Sequence, residues 1–257
     1  MIPSRFELPE PYGATRVGEA ILIARAEAIE PASRALRQAG SLFAFAAACA
    51  DAEPLEGRGA VYSIPAPGGR WVVRHYRRGG AVARILEDRY LRAGAPRPVR
   101  ELRTSHAVRV RGIDSPEVVA GVIYPAGPAY RADLATRYIP HSADLARVLF
   151  GPERPAAERE SACAAAGGLL RAMHERGVIH PDLNLKNILL EWTTDPPRAH
   201  LLDLDRGRVV ERVPRRRREA MLRRFWRSAR KWETRTGRRL SRAERDAFHA
   251  AYAAGDA

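Results

Sequence analysis

The sequence predicts an α+β protein of two lobes, the first rich in β-structure and the second mainly helical. Three observations predict it. Short β-rich runs separated by Gly and Pro turns occupy residues 51–140. Helix-period patterns dominate residues 141–257. A chain break at Pro140-His141-Ser142 follows the last strand-like run of the first half. With 257 residues the chain can bury a sizeable core, and 46% hydrophobic with 29% charged residues excludes wholesale disorder. The longest apolar stretch, residues 42–50, is far short of the ~18 residues of a membrane span. It reads as a buried helix or strand. The first residues lack an apolar run behind a basic start, so they are not expected to be a secretory signal. Two cysteines, Cys49 and Cys163, are too few for a disulfide framework or a cysteine zinc site, which fits a reducing cytoplasmic compartment.

Residues 1–50 form an N-terminal extension of unclear role, with a short strand at residues 21–23 and a helix over the Ala- and Leu-rich residues 33–50. The lobe of residues 51–140 opens with a turn at residues 56–59 and a strand at 60–64. The Pro-Gly turn of residues 65–69 and a second strand, residues 71–76, complete a hairpin-like meander. Helical patterns at 82–91 and 99–110 and strands at 118–124 and 132–139 complete this half, so it is read as mostly β with one or two helices. In the lobe of residues 141–257, a helix over 156–175 carries Cys163, Ala166, Leu169, Leu170 and Met173 on one face. Gly177 is its natural stop. Short β runs at 178–179, 188–190 and 199–202 surround loops, and no internal repeat interrupts the pattern.

Those loops carry the chemistry. Asp182 stands five residues before Asn187, with apolar β runs on both sides, and Asp203 leaves the end of another apolar run 21 residues after Asp182. A magnesium-dependent phosphoryl transferase needs a carboxylate that orients an attacking hydroxyl and accepts its proton. It also needs an amide oxygen and a second carboxylate to hold a hard, oxygen-seeking cation. Asp182, Asn187 and Asp203 supply that set.

The run His180-Pro181-Asp182-Leu183 with Asn187 resembles the catalytic loop of the protein-kinase-like superfamily, and Asp203-Leu204-Asp205 resembles its metal-binding motif. Pro181 stands in place of the arginine that many protein kinases use to read a phosphorylated loop. Asp205 stands in place of a glycine, and no Ala-Pro-Glu segment follows. These departures point to a small-molecule kinase. The resemblance implies a bilobal fold in which residues 51–140 bind ATP. Gly57 and Gly59 are similar to a reduced Gly-rich phosphate loop, with a plain hairpin turn as the alternative. Arg74 takes the place of the strand lysine that grips the phosphates, with an exposed strand arginine as the alternative. Its helix partner is Glu101, with Glu87 as second choice, and residues 137–140 fall where the adenine hinge belongs.

Four stretches tighten the resemblance to the lipopolysaccharide core kinases, and within them to those acting on 3-deoxy-D-manno-octulosonic acid (Kdo). They are residues 57–59, 71–80, 182–190 and 202–207, and residues 224–231 also resemble the family's C-terminal helix. Arg74 and Asp205 then become family features. The resemblance implies ATP and Mg²⁺ as cofactors and phosphorylation of the 4-hydroxyl of Kdo on lipid A. The place would be the cytoplasmic side of the inner membrane of a Gram-negative bacterium. The motifs do not separate this acceptor from a heptose or another small molecule. A non-catalytic kinase-fold protein that binds an anionic glycolipid is the alternative outside enzymes.

Charge sharpens the partner. The formal net charge is +14, and 42 of the 44 basic residues are arginine. Residues 206–245 hold 17 basic and 4 acidic residues, leaving the rest of the chain nearly neutral. Met221, Leu222, Phe225, Trp226, Ala229 and Trp232 fall on one helical face, with arginines over much of the remainder. That helix packs on its own lobe, or meets an anionic membrane surface or phosphorylated lipid A, or does both. Nucleic acid is not expected, because no zinc-finger or RNA-binding signature accompanies the arginines. His75, Tyr76, Arg77 and Arg78 are read as facing the acceptor or the ATP, or as a solvated strand end.

Overall fold

The structure, a computed structural model, describes residues 6–55, 60–77, 88–91 and 94–254. They divide into two compact units, one of Met1–His106 with Glu117–Tyr138 and one of Ala107–Pro116 with Ile139–Ala257.

The first unit is built on an antiparallel sheet. Its strands are β1 (Tyr12–Val17), β2 (Ala20–Arg25), β3 (Glu53–Leu55), β4 (Val61–Ala66), β5 (Gly69–His75), β6 (Tyr90–Leu91), β7 (Val118–Ala126) and β8 (Ala129–Arg137). The spatial order is β1-β2-β7-β8-β5-β4-β3, with β6 also on β8. The segment before residue 50 is built into this unit. It supplies β1 and β2 and two helices, α1 (Ala26–Ala39) and α2 (Leu42–Ala48). One helix had been expected over residues 33–50. Gly40 ends α1 in the left-handed region (φ 73°), and the Ser41 side chain accepts from the Ala44 N–H to start α2. The β4–β5 hairpin turns on Pro67 and Gly68, the latter at φ 74°, the order a type II turn demands.

Alternation along the strands separates two apolar layers. Leu22, Ala24, Trp71, Val73 and Val122 pack with Ala28, Ala32, Leu36, Leu42 and Ala46 of α1 and α2. Ile23, Tyr76, Ile123, Ala132 and Leu134 pack with Val99 and Leu102 of α3 (Arg97–Val110). The sheet is therefore covered on both faces. A polar knot fixes α2 to it. The fully buried Asp133 accepts from the Phe43 N–H at 2.9 Å and the Tyr124 hydroxyl at 2.7 Å, and meets His75 Nδ1 at 2.5 Å. The bond to Asp133 raises the His75 pKa against the opposing effect of burial.

The second unit contains β9 (Ser142–Asp144), α4 (Leu145–Phe150), α5 (Ala156–Glu175), β10 (Val178–Ile179), a 3₁₀ turn at Leu185–Asn187, β11 (Ile188–Glu191), β12 (Arg198–Leu201), β13 (Arg208–Val209), α6 (Arg215–Thr236) and α7 (Arg242–Ala253). A three-stranded sheet runs β12-β11-β9, and β10 pairs with β13. The predicted stripe of α5, Cys163, Ala166, Leu169, Leu170 and Met173, is buried in the core of this unit with Phe225 and Phe248. A capping box starts α7, with Ser241 and Glu244 each accepting from the other's N–H, and Arg159 meets the buried Glu244 at 2.5 Å.

Candidate active site

Each unit carries one cluster of the predicted site residues. In the first unit, β5 alternation turns Arg74 and Tyr76 to the α3 side and His75 to the opposite side. Arg74 Nη2 donates to both carboxylate oxygens of Glu101, at 2.5 and 2.6 Å, and the Tyr76 hydroxyl donates to the same carboxylate at 2.6 Å. Glu101 is 4% exposed. A carboxylate taken this far from water needs such partners to stay charged. The Arg74 and Arg97 guanidiniums lie over the Tyr76 ring at 4.7 and 5.0 Å, and burial pushes the Tyr76 pKa well above its ordinary value, keeping it a neutral donor. Arg74 is thereby held as a fixed cation on a rigid strand. Gly57, Gly59 and Glu87 lie outside the described residues. Of the four side chains left open at residues 75–78, His75 is engaged with Asp133 and Asp88, Tyr76 with Glu101, and Arg77 is exposed. Arg78 lies outside the described residues.

In the second unit the candidate residues from His180 to Asn187 gather between β10 and β11. Asn184 and Asn187 each donate a side-chain N–H to the Asp182 backbone carbonyl, at 2.8 and 3.1 Å. These bonds set the loop shape, and the Asn184 side chain caps the 3₁₀ turn by accepting from the Lys186 N–H. The Leu202 N–H donates to the Asn187 carbonyl at 2.9 Å, and the buried His180 donates from Nε2 to the Leu202 carbonyl at 2.9 Å. The loop is thus tied to the segment that carries Asp203. Asp203 has φ 58°, an uncommon conformation for a residue with a side chain, and it is exposed. Asp205 is buried.

Asn187 uses its amide N–H on the loop, so its side-chain oxygen is the end available to a ligand. That oxygen and the Asp203 carboxylate are both hard donors. That donor chemistry fits Mg²⁺, which takes few protein ligands and completes its shell with phosphate oxygens and water.

Two residues that motif reading passed over stand at Asp182. Arg206 Nη1 donates to Asp182 Oδ2 at 3.0 Å, and Arg224 Nη1 lies 3.6 Å from Oδ1. Both lie in the stretches that resemble the family, residues 202–207 and 224–231, but nothing in those stretches placed them at Asp182. The α6 face that packs inward is the predicted one. Met221, Phe225 and Ala229 are buried, while Leu222, Trp226 and Trp232 are partly buried against the core. Arg216, Arg217, Arg223, Arg227 and Arg230 are exposed on the same helix.

Comparison with known proteins bears on these clusters. The model of the lipopolysaccharide kinase (Kdo/WaaP) family matches residues 49–252. A protein of Xanthomonas oryzae pv. oryzae named 3-deoxy-D-manno-octulosonic acid kinase is 37% identical over 199 residues, covering 75% of this chain and 76% of the relative. One of the same name from Vibrio parahaemolyticus is 31% identical over 157 residues, 60% of this chain and 63% of that relative. Among solved structures, WaaP in complex with acyl carrier protein is similar at a TM-score of 0.52 and 18% identity, over 84% of this chain and 85% of that one. At that identity the likeness speaks to the fold alone, which is α+β and protein-kinase-like.

Proposed function

The chain belongs to the lipopolysaccharide kinase (Kdo/WaaP) family, and on that premise we propose that it transfers the γ-phosphoryl group of ATP to the 4-hydroxyl of Kdo on Kdo–lipid A. The observation that carries this reading is the 37% identity to a relative named for Kdo phosphorylation, over three quarters of both chains. The geometry of Asp182, Asn187 and Asp203 supports it.

Phosphoryl transfer leaves little covalent work to the protein, so its residues act by positioning and electrostatics. Asp182 orients the sugar hydroxyl and takes its proton as the oxygen attacks. Its loop is held by Asn184, Asn187 and His180, so the carboxylate does not have to be ordered at each turnover. Arg74, fixed by Glu101 and Tyr76, holds the nucleotide phosphates. Asn187 and Asp203 would hold Mg²⁺. When bound, that ion neutralises charge on the phosphate oxygens.

The exposed arginines of α6 support a peripheral location on the cytoplasmic side of the inner membrane, against an anionic surface. No described helix is long and apolar enough to cross a membrane.

The test is label transfer from γ-labelled ATP to Kdo–lipid A with Mg²⁺ and detergent. Wild type is expected to label the acceptor, and Asp182→Ala to lose roughly a hundredfold or more in rate. Absence of transfer by wild type under these conditions removes this acceptor.

A further inference from the structure

Asp182 is 44% exposed, yet each of its carboxylate oxygens faces a guanidinium. The two cations come from different elements. Arg206 follows the Asp203 segment, and Arg224 sits on α6. The helix is held against the catalytic loop beside it: the His180 N–H lies 3.2 Å from Met221 Sδ, the Leu185 N–H 3.4 Å from Ser228 Oγ, and Phe225 is buried. Arg224 therefore reaches Asp182 from a supported position.

Arg206 is 63% and Arg224 50% exposed. Ion pairs this wet contribute little to stability, so holding Asp182 in place is a weak reason for two of them. Each spends one terminal nitrogen on Asp182, whereas a guanidinium carries five N–H donors in a planar fork matched to carboxylates and phosphates. Two such forks beside one catalytic carboxylate make a site that an acceptor with its own anion can enter. That anion takes over the guanidiniums and leaves Asp182 to the hydroxyl.

We infer that Arg206 and Arg224 form a clamp for a carboxylate on the acceptor, next to the hydroxyl that Asp182 addresses. This rests on the Kdo reading above. Kdo is an ulosonic acid, with its carboxylate on C2 of the ring and only C3 between C2 and the carbon bearing the 4-hydroxyl. A neutral hexose at the same place offers the clamp nothing. The arginines thus select an acidic sugar as well as bind it.

The experiment measures steady-state kinetics of wild type, Arg206→Gln and Arg224→Gln on two acceptors, Kdo–lipid A and an analogue whose Kdo carboxylate is reduced to the alcohol. On Kdo–lipid A each variant is expected to raise the acceptor KM about tenfold or more, as lost charge-assisted hydrogen bonds do, with the ATP KM within about twofold of wild type. Wild type is expected to lose a similar factor on the reduced analogue, and the variants to lose little more on it. Equal losses by the variants on both acceptors, or a fall in kcat with the acceptor KM unmoved, overturn the clamp and leave the arginines serving Asp182 alone. If wild type labels neither acceptor, the Kdo reading fails, and calorimetry with free Kdo and the Mg²⁺–ADP-loaded enzyme decides the clamp separately. Saturable binding that the double variant loses upholds it, and no binding to wild type overturns it.

Discussion

His174 sits on α5 with Nδ1 2.7 Å from the Tyr252 hydroxyl, 5% exposed. Burial first, and the nearby Arg218 second, push its pKa down from 6.5 to about 4. The folded protein therefore refuses a proton that the unfolded chain accepts once the pH falls below about 6.5. Stability is lost as the pH drops from 6.5 toward 4 and levels off below, by about 3 kcal/mol in total for this group. Denaturant unfolding at pH values from about 4.5 to about 7.5 checks it. His174→Gln keeps a hydrogen-bonding side chain without the titration, and its profile should be flatter than wild type in that window. Parallel profiles would show that His174 does not titrate as described. Glu101 is the other side chain whose environment sets its use. The family resemblance named it as an Arg74 partner, with Glu87 as second choice. The Tyr76 hydroxyl on the same carboxylate was not visible, because it depends on which face of β5 meets α3.

α5 was readable from end to end, Ala156–Glu175, because its apolar stripe repeats with the helix period and Pro155 and Gly177 bracket it. Its interior pair Gly167-Gly168 was not explained by that pattern, since glycine costs about 1 kcal/mol against alanine inside a helix. α7 supplies the reason for one of them. A Cβ on Gly167 would stand 2.3 Å from the Phe248 carbonyl oxygen, while one on Gly168 would meet nothing within 4 Å. Gly167→Ala should therefore destabilise by about 1–3 kcal/mol despite its better propensity. Gly168→Ala should be neutral or stabilising by up to about 1 kcal/mol. Chemical denaturation of the two variants separates close helix packing from propensity, and similar stabilities would refute the packing account. The N-terminal elements show the opposite limit. Residues 20–25 read as a short strand, but nothing local to them announces pairing with β7, whose partner residues lie about a hundred positions away.

Over the whole molecule, charge is as unevenly distributed as the sequence indicated, with the excess in residues 206–245. The structure adds that part of this excess sits at a helix start. Four consecutive arginines, Arg215 to Arg218, begin α6, with no acidic residue in the first turn. A helix N-terminus favours negative side chains, so this placement opposes folding and calls for another use. Arg216→Glu with Arg217→Glu should leave thermal stability unchanged or raised. The same pair should weaken binding to phosphatidylglycerol vesicles by roughly 1 kcal/mol per removed positive charge, with Mg²⁺–ATP binding unaffected. Vesicle sedimentation reads this directly, and undiminished binding would return these arginines to an ordinary solvated helix end.

The sequence by itself pointed to an α+β chain of two parts, to Asp182, Asn187 and Asp203 as a candidate set and to the apolar face of α6, while the choice of Glu101 over Glu87 as the Arg74 partner needed the structure. The first three are carried by spacing and periodicity, which act over a few residues and survive without knowledge of the rest of the chain. Only the tertiary structure decided that residues 12–48 complete the first unit's sheet and cover one face of it. It also decided that His180 ties the catalytic loop to Leu202, and that Arg206 and Arg224 converge on Asp182. Such contacts join positions that lie far apart in the chain. They arise from strand register and helix packing, which depend on what every other element leaves to be covered.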